Sequence, residues 1–355
     1  AIMAGHIMQP AYARHFNPQI PDQDIMPATL SPELIQGLLR EMLGFNGMVL
    51  TDASHMVGLT CRMKRSDVLP AAIAAGVDMF LFFNEMDEDF ESMKQGYLDG
   101  RITEERLSDA LHRILALKAH MGLHKKAPAQ QMPPRAQVHE IIGCKEHLDM
   151  QKEISDKSIT LVKYKDPEVL PLTPERYKRI MIVYVKGLEA PGLGAIFGKN
   201  KVSPAEKLKE KLAAKGFDVF LYESPIAKLM KEMEAGGKPD LNVYFAGKTA
   251  ISEFVEKQDL IITLVDIAGG FQPVARPAFG MTKGGGEIPW YVHELPVIVI
   301  GTKQPFVLAD IPQARTYINT YDVLDSTFDA LVEKLMTGAE AFTGCDPVDA
   351  YCGMW

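Results

Sequence analysis

An α/β fold with mostly parallel strands is predicted by three observations. Short apolar runs alternate with amphipathic stretches along most of the chain. One such run closes on a carboxylate, Met48-Val49-Leu50-Thr51-Asp52, as strands of α/β proteins often do at their carboxyl ends. The connections between successive runs are long enough for crossover helices, which parallel strands require.

Taken in order, Ala1–Met8 reads as a buried strand. Ser31 suits the cap of the next helix, Pro32 its first position and Glu33 the positive end of its dipole. Leu34, Ile35, Leu38, Leu39 and Met42 then recur at helical spacing, and Gly44 ends the run. Met48–Asp52 is the second strand, Leu69–Ala75 a helix and Asp78–Phe83 the third strand. Helices follow near Asp87–Asp99 and Thr103–Ala119, the latter capped by Thr103. A closed eight-stranded barrel takes about 250 residues, so these strand–helix units fit the C-terminal portion of a (β/α)8 TIM-type barrel, residues 1–123. Residues 124–157 combine a proline-, glutamine- and lysine-rich linker with a connecting helix near Glu146–Lys157.

Residues 158–355 predict a second, doubly wound and mostly parallel α/β sandwich domain. Its strands are expected at Ser158–Lys163, Ile180–Val185, Asp218–Tyr222, Leu260–Val265, Val297–Ile300 and Thr316–Ile318. The helices between them are expected at Pro204–Lys215, Pro225–Ala235, Thr249–Lys257, Glu287–Glu294 and Val323–Met336.

Composition narrows the function. The 355 residues are 47% hydrophobic and 24% charged, with a net charge of −8. That balance offers no basic excess for a phosphate backbone, so no nucleic-acid partner is expected. The basic run Arg62-Met63-Lys64-Arg65 reads as a solvated loop. No stretch of about 18 apolar residues is present, so no membrane span is predicted. Cys61, Cys144, Cys345 and Cys352 form no CxxC pair, which argues against zinc. They read as free thiols in a reducing compartment, with a Cys345–Cys352 bridge under oxidising conditions as the alternative. Composition does not fix the location, for which the cytoplasm is favoured, with secretion or cell-wall association as the other placement. Gly284-Gly285-Gly286 lacks the spacing of a dinucleotide fingerprint.

The residues that carry chemistry gather around Asp52. Carboxylates at the carboxyl ends of parallel strands face the active site of barrel enzymes. The bland alternative for Asp52 is a cap for the turn that follows. Gly44–Asp52 with Ala53-Ser54-His55-Met56 resembles the nucleophile motif of glycoside hydrolase family 3, in particular its β-N-acetylhexosaminidase branch. Ala1–Met8 resembles the histidine-bearing strand of that barrel, Pro27-Ala28-Thr29-Leu30-Ser31 the turn after it, and Arg106–Lys118 the helix that ends it. Pro289–Glu294 and Pro347–Gly353 resemble the two-domain form.

The resemblance implies a retaining glycosidase that hydrolyses terminal β-linked N-acetylglucosamine, such as that of cell-wall or chitin fragments, with Asp52 as nucleophile. His6, His55 and Met56 would contact substrate or orient the site. Arg14 and His15 read as solvent-facing. The branch's acid/base loop, Lys-His-Phe-Pro-Gly-His-Gly, has no counterpart in these residues. Nor does the glutamate that β-glucosidases carry after a strand like Leu260–Asp266, where this chain reads Ala268–Ala275 and Glu287 is the nearest later acid. The expectation is therefore a fragment lacking the N-terminal barrel strands, impaired alone, with exposed strand edges open to association with another chain. Neither glycosidic route calls for a metal or cofactor. Two other readings stay open: phosphorolysis of the same glycosides, and a non-catalytic carbohydrate- or partner-binding module.

Overall fold

The computed structural model describes residues 1–132, 134–186, 202–224, 231–237, 250–267, 276–277 and 288–353. The chain divides into two compact units, Ala1–Arg135 and Ala136–Trp355.

The first unit is built on a three-stranded parallel sheet of β1 (Ile2–Ala4), β2 (Val49–Ala53) and β3 (Met79–Leu81), in that order. β1 is shorter than expected and is not buried. Only Ala4 faces the core, while Ile2 and Met3 are 36% and 54% exposed. The reason is topological: β1 pairs only with β2, so its other edge and one face meet no partner among the described residues. After β1 the chain forms a helix, Pro10–Phe16, that carries Arg14 and His15, and Arg14 pairs with Asp22 at 2.6 Å.

Ser31 opens the Glu33–Met42 helix as predicted. Its Oγ accepts from Leu34 N at 3.4 Å and donates to the Glu33 carboxylate at 2.7 Å. The helix is wider than α. Leu43 N donates to Leu38 O, a bond to the fifth residue back rather than the fourth. Each residue therefore turns less about the axis, and Met42, predicted on the apolar stripe, ends 54% exposed.

Ala4, Ile35, Val49 and Val77 form one core beneath the sheet. Leu30, Leu59, Val68, Leu69 and Ala72 form another, under the Arg65–Ala75 helix. That helix packs closely on Met86–Leu98, where a Cβ added to Gly96 would lie 2.5 Å from Pro70 Cβ. Thr103 Oγ1 caps Glu104–His120 by accepting from Arg106 N at 3.1 Å. Just before β3, the buried Asp78 carboxylate takes Arg40 at 2.9 Å, Arg106 at 2.5 Å and Val49 N at 2.9 Å. This ion cluster fixes the amino-terminal end of the sheet. The carboxyl-terminal end, where Asp52 lies, is left for the loops that follow the strands.

The second unit is a six-stranded sheet: β4 (Thr160–Tyr164), β5 (Arg179–Lys186), β6 (Asp218–Leu221), β7 (Leu260–Asp266), β8 (Val297–Gly301) and β9 (Thr316–Asn319). The spatial order is β4-β9-β8-β7-β5-β6. Only β4 runs antiparallel, along β9. β7 is buried from Leu260 to Val265, as an apolar run covered on both faces requires. Alternate residues of β5 divide between two cores. Ile180 and Ile182 meet Leu208, Leu212, Phe328 and Leu331 from the Pro204–Ala214 and Asp325–Thr337 helices. Met181, Val183 and Val185 belong to the opposite core with Phe254, Tyr291 and Leu308.

Pro204–Ala214 starts with a reciprocal cap. Glu206 N donates to Ser203 Oγ at 3.2 Å, and Ser203 N to Glu206 Oε2 at 3.1 Å. The helix expected at Glu287–Glu294 is a series of turns over the described Ile288–Leu295, where Tyr291 anchors the opposite core as a fully buried ring. Residues 225–230 of the predicted Pro225–Ala235 helix, the loop Ala268–Ala275, Gly284–Gly286 and Glu287 lie outside the described residues.

Candidate active site

Asp52 is the fourth residue of β2 and sits half-buried at the carboxyl end of the sheet. Its Oδ1 accepts from Ala53 N at 2.7 Å. No hydrogen bond to Oδ2 and no ion pair to Asp52 is present among the described residues. A carboxylate with one oxygen fixed and the other open is suited to nucleophilic attack. Asp266, at the carboxyl end of β7, is the contrasting case. It takes Lys303 at 2.7 Å, Thr302 Oγ1 at 2.8 Å and the Tyr184 hydroxyl at 2.8 Å. Burial alone would raise its pKa, but those donors outweigh burial and hold it below the usual carboxylate range. Asp266 is an engaged structural acid.

His6 lies on the loop after β1 and reaches the end of β2. Its Nε2 donates to Ala53 O at 3.0 Å, and its Nδ1 lies 2.9 Å from Thr29 Oγ1. The carbonyl contact requires a proton on Nε2. Both ring nitrogens are thus engaged within the protein, and His6 ties the residue after Asp52 to the Pro27–Ser31 turn. His55 and Met56 are exposed in the turn that follows β2. The His55 ring lies 5.9 Å from that of Phe82, tilted by 33°. Met56 N closes the turn by donating to Ala53 O at 3.0 Å. Asp52, His6, His55 and Met56 are therefore brought to one end of the sheet.

Two further features of this end were not singled out from sequence. Arg65, assigned to a solvated loop, instead opens the Arg65–Ala75 helix and points inward. Its Nε and Nη2 hold Asp89 at 2.7 and 2.6 Å, and its guanidinium reaches Ser54 Oγ at 3.0 Å and Ser54 O at 3.3 Å. Arg62 in the same run donates to Ile25 O at 3.1 Å. Both arginines are drawn in because buried acceptors lie beside them. The Asp89 carboxyl also accepts from Asn84 N at 2.8 Å. Burial favours its neutral form, yet the Arg65 and Asn84 bonds prevail and its pKa is lowered. The second feature is Phe82, whose backbone takes φ of +59°. A usable signal was an arginine just before a helix followed by the acidic run Asp87-Glu88-Asp89.

Among the described residues no group of histidine, cysteine, aspartate and glutamate is arranged to hold a metal ion. No described helix is long and apolar enough to cross a membrane.

The chain is similar to known proteins along its whole length. Residues 1–117 match the glycosyl hydrolase family 3 N-terminal domain. A Cellulomonas fimi protein named beta-N-acetylglucosaminidase/beta-glucosidase is 37% identical over 359 aligned residues, which take in 100% of this chain and 58% of that protein. The chain thus spans little more than half the length of this relative. A solved structure titled beta-glucoside phosphorylase BglX is 34% identical, with a TM-score of 0.81 over 99% of this chain and 58% of its own. A family 3 β-N-acetylglucosaminidase from Paenibacillus sp. shares the fold at 20% identity, with a TM-score of 0.63, covering 95% of this chain and 56% of that one. Residues 1–117 thus belong to the N-terminal domain of glycoside hydrolase family 3, and the chain as a whole is similar to longer proteins that carry that domain.

Proposed function

We propose that the protein cleaves terminal β-linked N-acetylglucosaminides with retention of configuration, and that Asp52 is its nucleophile. The observation that carries this reading is the Asp52 carboxylate itself, held by Ala53 N through one oxygen and open through the other at the carboxyl end of β2. In the first step an Asp52 oxygen attacks the anomeric carbon. The glycosidic C–O bond breaks, and a general acid gives the leaving oxygen its proton. In the second, water attacks the same carbon, its proton passes to the conjugate base, and the ester bond returns its electrons to Asp52. His6 orients the site through Ala53 O, while His55 and Met56 face the substrate from the turn.

Phosphorolysis is the second reading. It is favoured by the 34% identity to a structure titled as a β-glucoside phosphorylase. It differs only in the acceptor, since a phosphate oxygen would replace water and the product would be a sugar 1-phosphate.

The test is mass detection of the covalent ester after incubation with a 2-fluoro-glycosyl fluoride, whose fluoride leaves with little need of an acid. An adduct that maps to Asp52 and disappears in Asp52→Ala is expected. An adduct on another residue, or none on the wild-type chain, would overturn the assignment. Turnover of a chromogenic N-acetyl-β-glucosaminide with and without phosphate then separates hydrolysis from phosphorolysis.

A further inference from the structure

We propose that Phe82 is a stacking platform for the leaving-group ring of the glycoside, and so determines specificity beside Asp52. The proposal rests on the reading of that end of the sheet as a glycosidase site.

Phe82 directly follows β3, whose Leu81 is the register partner of Ala53. Its aromatic ring lies beside His55, three residues after Asp52. It is 61% exposed, as are Phe83 at 58% and Phe90 at 67% in the same unit, and of the three it is the one whose ring meets His55. Its backbone is also in the left-handed region, at φ +59°, which disfavours side chains with a Cβ. The exposure comes with β3 being an edge strand, whereas the left-handed backbone is the feature that calls for a reason in function.

The turn is held on both sides by side-chain hydrogen bonds. Ser54 Oγ, fully buried, donates to the Phe82 carbonyl. Arg65 donates to that same Ser54 Oγ at 3.0 Å and is itself gripped by Asp89. Asp89 Oδ2 in turn accepts from Asn84 N at 2.8 Å. The turn is therefore clamped at Phe82 and at Asn84, and the ring is presented from a rigid support. Aromatic faces of this kind take the C–H face of a pyranose or an aryl group, because the ring's negative face meets polarised C–H bonds and apolar area is removed from water.

Placement decides which ring of the substrate it meets. Asp52 is half-buried, whereas Phe82 and His55 are exposed. When Asp52 attacks a terminal sugar, that sugar occupies the inner position and the group it leaves behind points outward. Phe82 belongs to the outward ring.

The experiment measures binding to the full chain by saturation-transfer NMR and titration, with the β-1,4-linked disaccharide of N-acetylglucosamine and with the monosaccharide. Wild type, Phe82→Ala, Phe82→Leu and Phe82→Tyr are compared. Stacking predicts that Ala and Leu weaken the disaccharide about tenfold, that Tyr stays within about twofold of wild type, and that the monosaccharide is unaffected. Equal disaccharide affinity in all four, equal weakening of both sugars, or no binding by wild type would overturn the platform. Thermal unfolding of each variant shows whether a loss comes from the fold, and the Tyr variant keeps the ring test decisive if Ala is unstable. Ester formation from a 2-fluoro-glycosyl fluoride by the wild-type chain is measured alongside, to separate the platform from the nucleophile. Selective disaccharide binding through Phe82 without any ester would retain the platform and sink the nucleophile.

Discussion

Replacing Arg65 by methionine tests whether the clamp behind the site behaves as a buried ion pair. The side chain of Asp89 is 3% exposed and that of Arg65 24%. Arg65 supplies two of the three bonds to the carboxylate, at 2.7 and 2.6 Å, and Asn84 N is the one that remains. Breaking a buried pair by removing one partner costs about 3–5 kcal/mol, because the other charge is left without compensation. Partial exposure of Arg65 places the expectation at the lower end, about 3 kcal/mol. The assay is hydrogen exchange of peptides covering β3 and the Met86–Leu98 helix, which reads the first unit without interference from the second. About 3 kcal/mol corresponds to a loss of protection of about 100-fold. The double variant Arg65→Met with Asp89→Leu removes both charges together and should recover most of that loss. A single variant that exchanges within about threefold of wild type would refute the buried-pair argument, as would a double variant no better than the single.

Two further predictions concern the same unit. Gly96→Ala sets a methyl 2.5 Å from Pro70 Cβ between two packed helices, so it should destabilise by about 1–3 kcal/mol, read as a lower urea midpoint with an unchanged slope; an unchanged midpoint would show that the helices separate freely. Asp89 and Asp109 are both buried enough to disfavour their charge, yet arginine contacts lower both pKa values. A carboxyl whose pKa is depressed on folding contributes stability that is fully present above its unfolded value, about 3.9. That stability is lost as pH falls through the folded value. Exchange protection of the first unit should therefore hold from pH 7 down to about 5 and fall below about 4. Arg65→Met should flatten the part owed to Asp89, and a profile that is level down to pH 2 would contradict the sign.

What the sequence made legible and what it hid follow from the range of each interaction. The Ser31 cap, the Thr103 cap and the apolar runs of β2, β5, β7 and β8 are local patterns, and the structure has them where the residues indicate. Asp52 was legible for the same reason, since a strand and the acid that ends it are contiguous. His6 was found as a residue, but its contact with Ala53 O spans 47 positions and no local pattern encodes it. The exposure of β1 was missed because Ile2 and Met3 have the composition of buried strand residues whether or not a neighbouring strand covers them.

The clamp shows why an overall charge pattern is a poor guide to a site. Arg62, Lys64 and Arg65 look alike as a basic run, and only the fold separates them. Lys64 stands just outside the Arg65–Ala75 helix, Arg62 reaches Ile25 O, and Arg65 turns toward the buried Ser54 and Asp89. The consequence runs from chemistry back to sequence. Ser54, two residues past Asp52, donates to Phe82 O through its hydroxyl and receives Arg65 on the same oxygen. One buried hydroxyl thereby couples the turn after β2 to the turn after β3. Geometry on the Asp52 side of the site and the aromatic ring on the other side are set by a shared support, so a change at Arg65 reaches both without touching either.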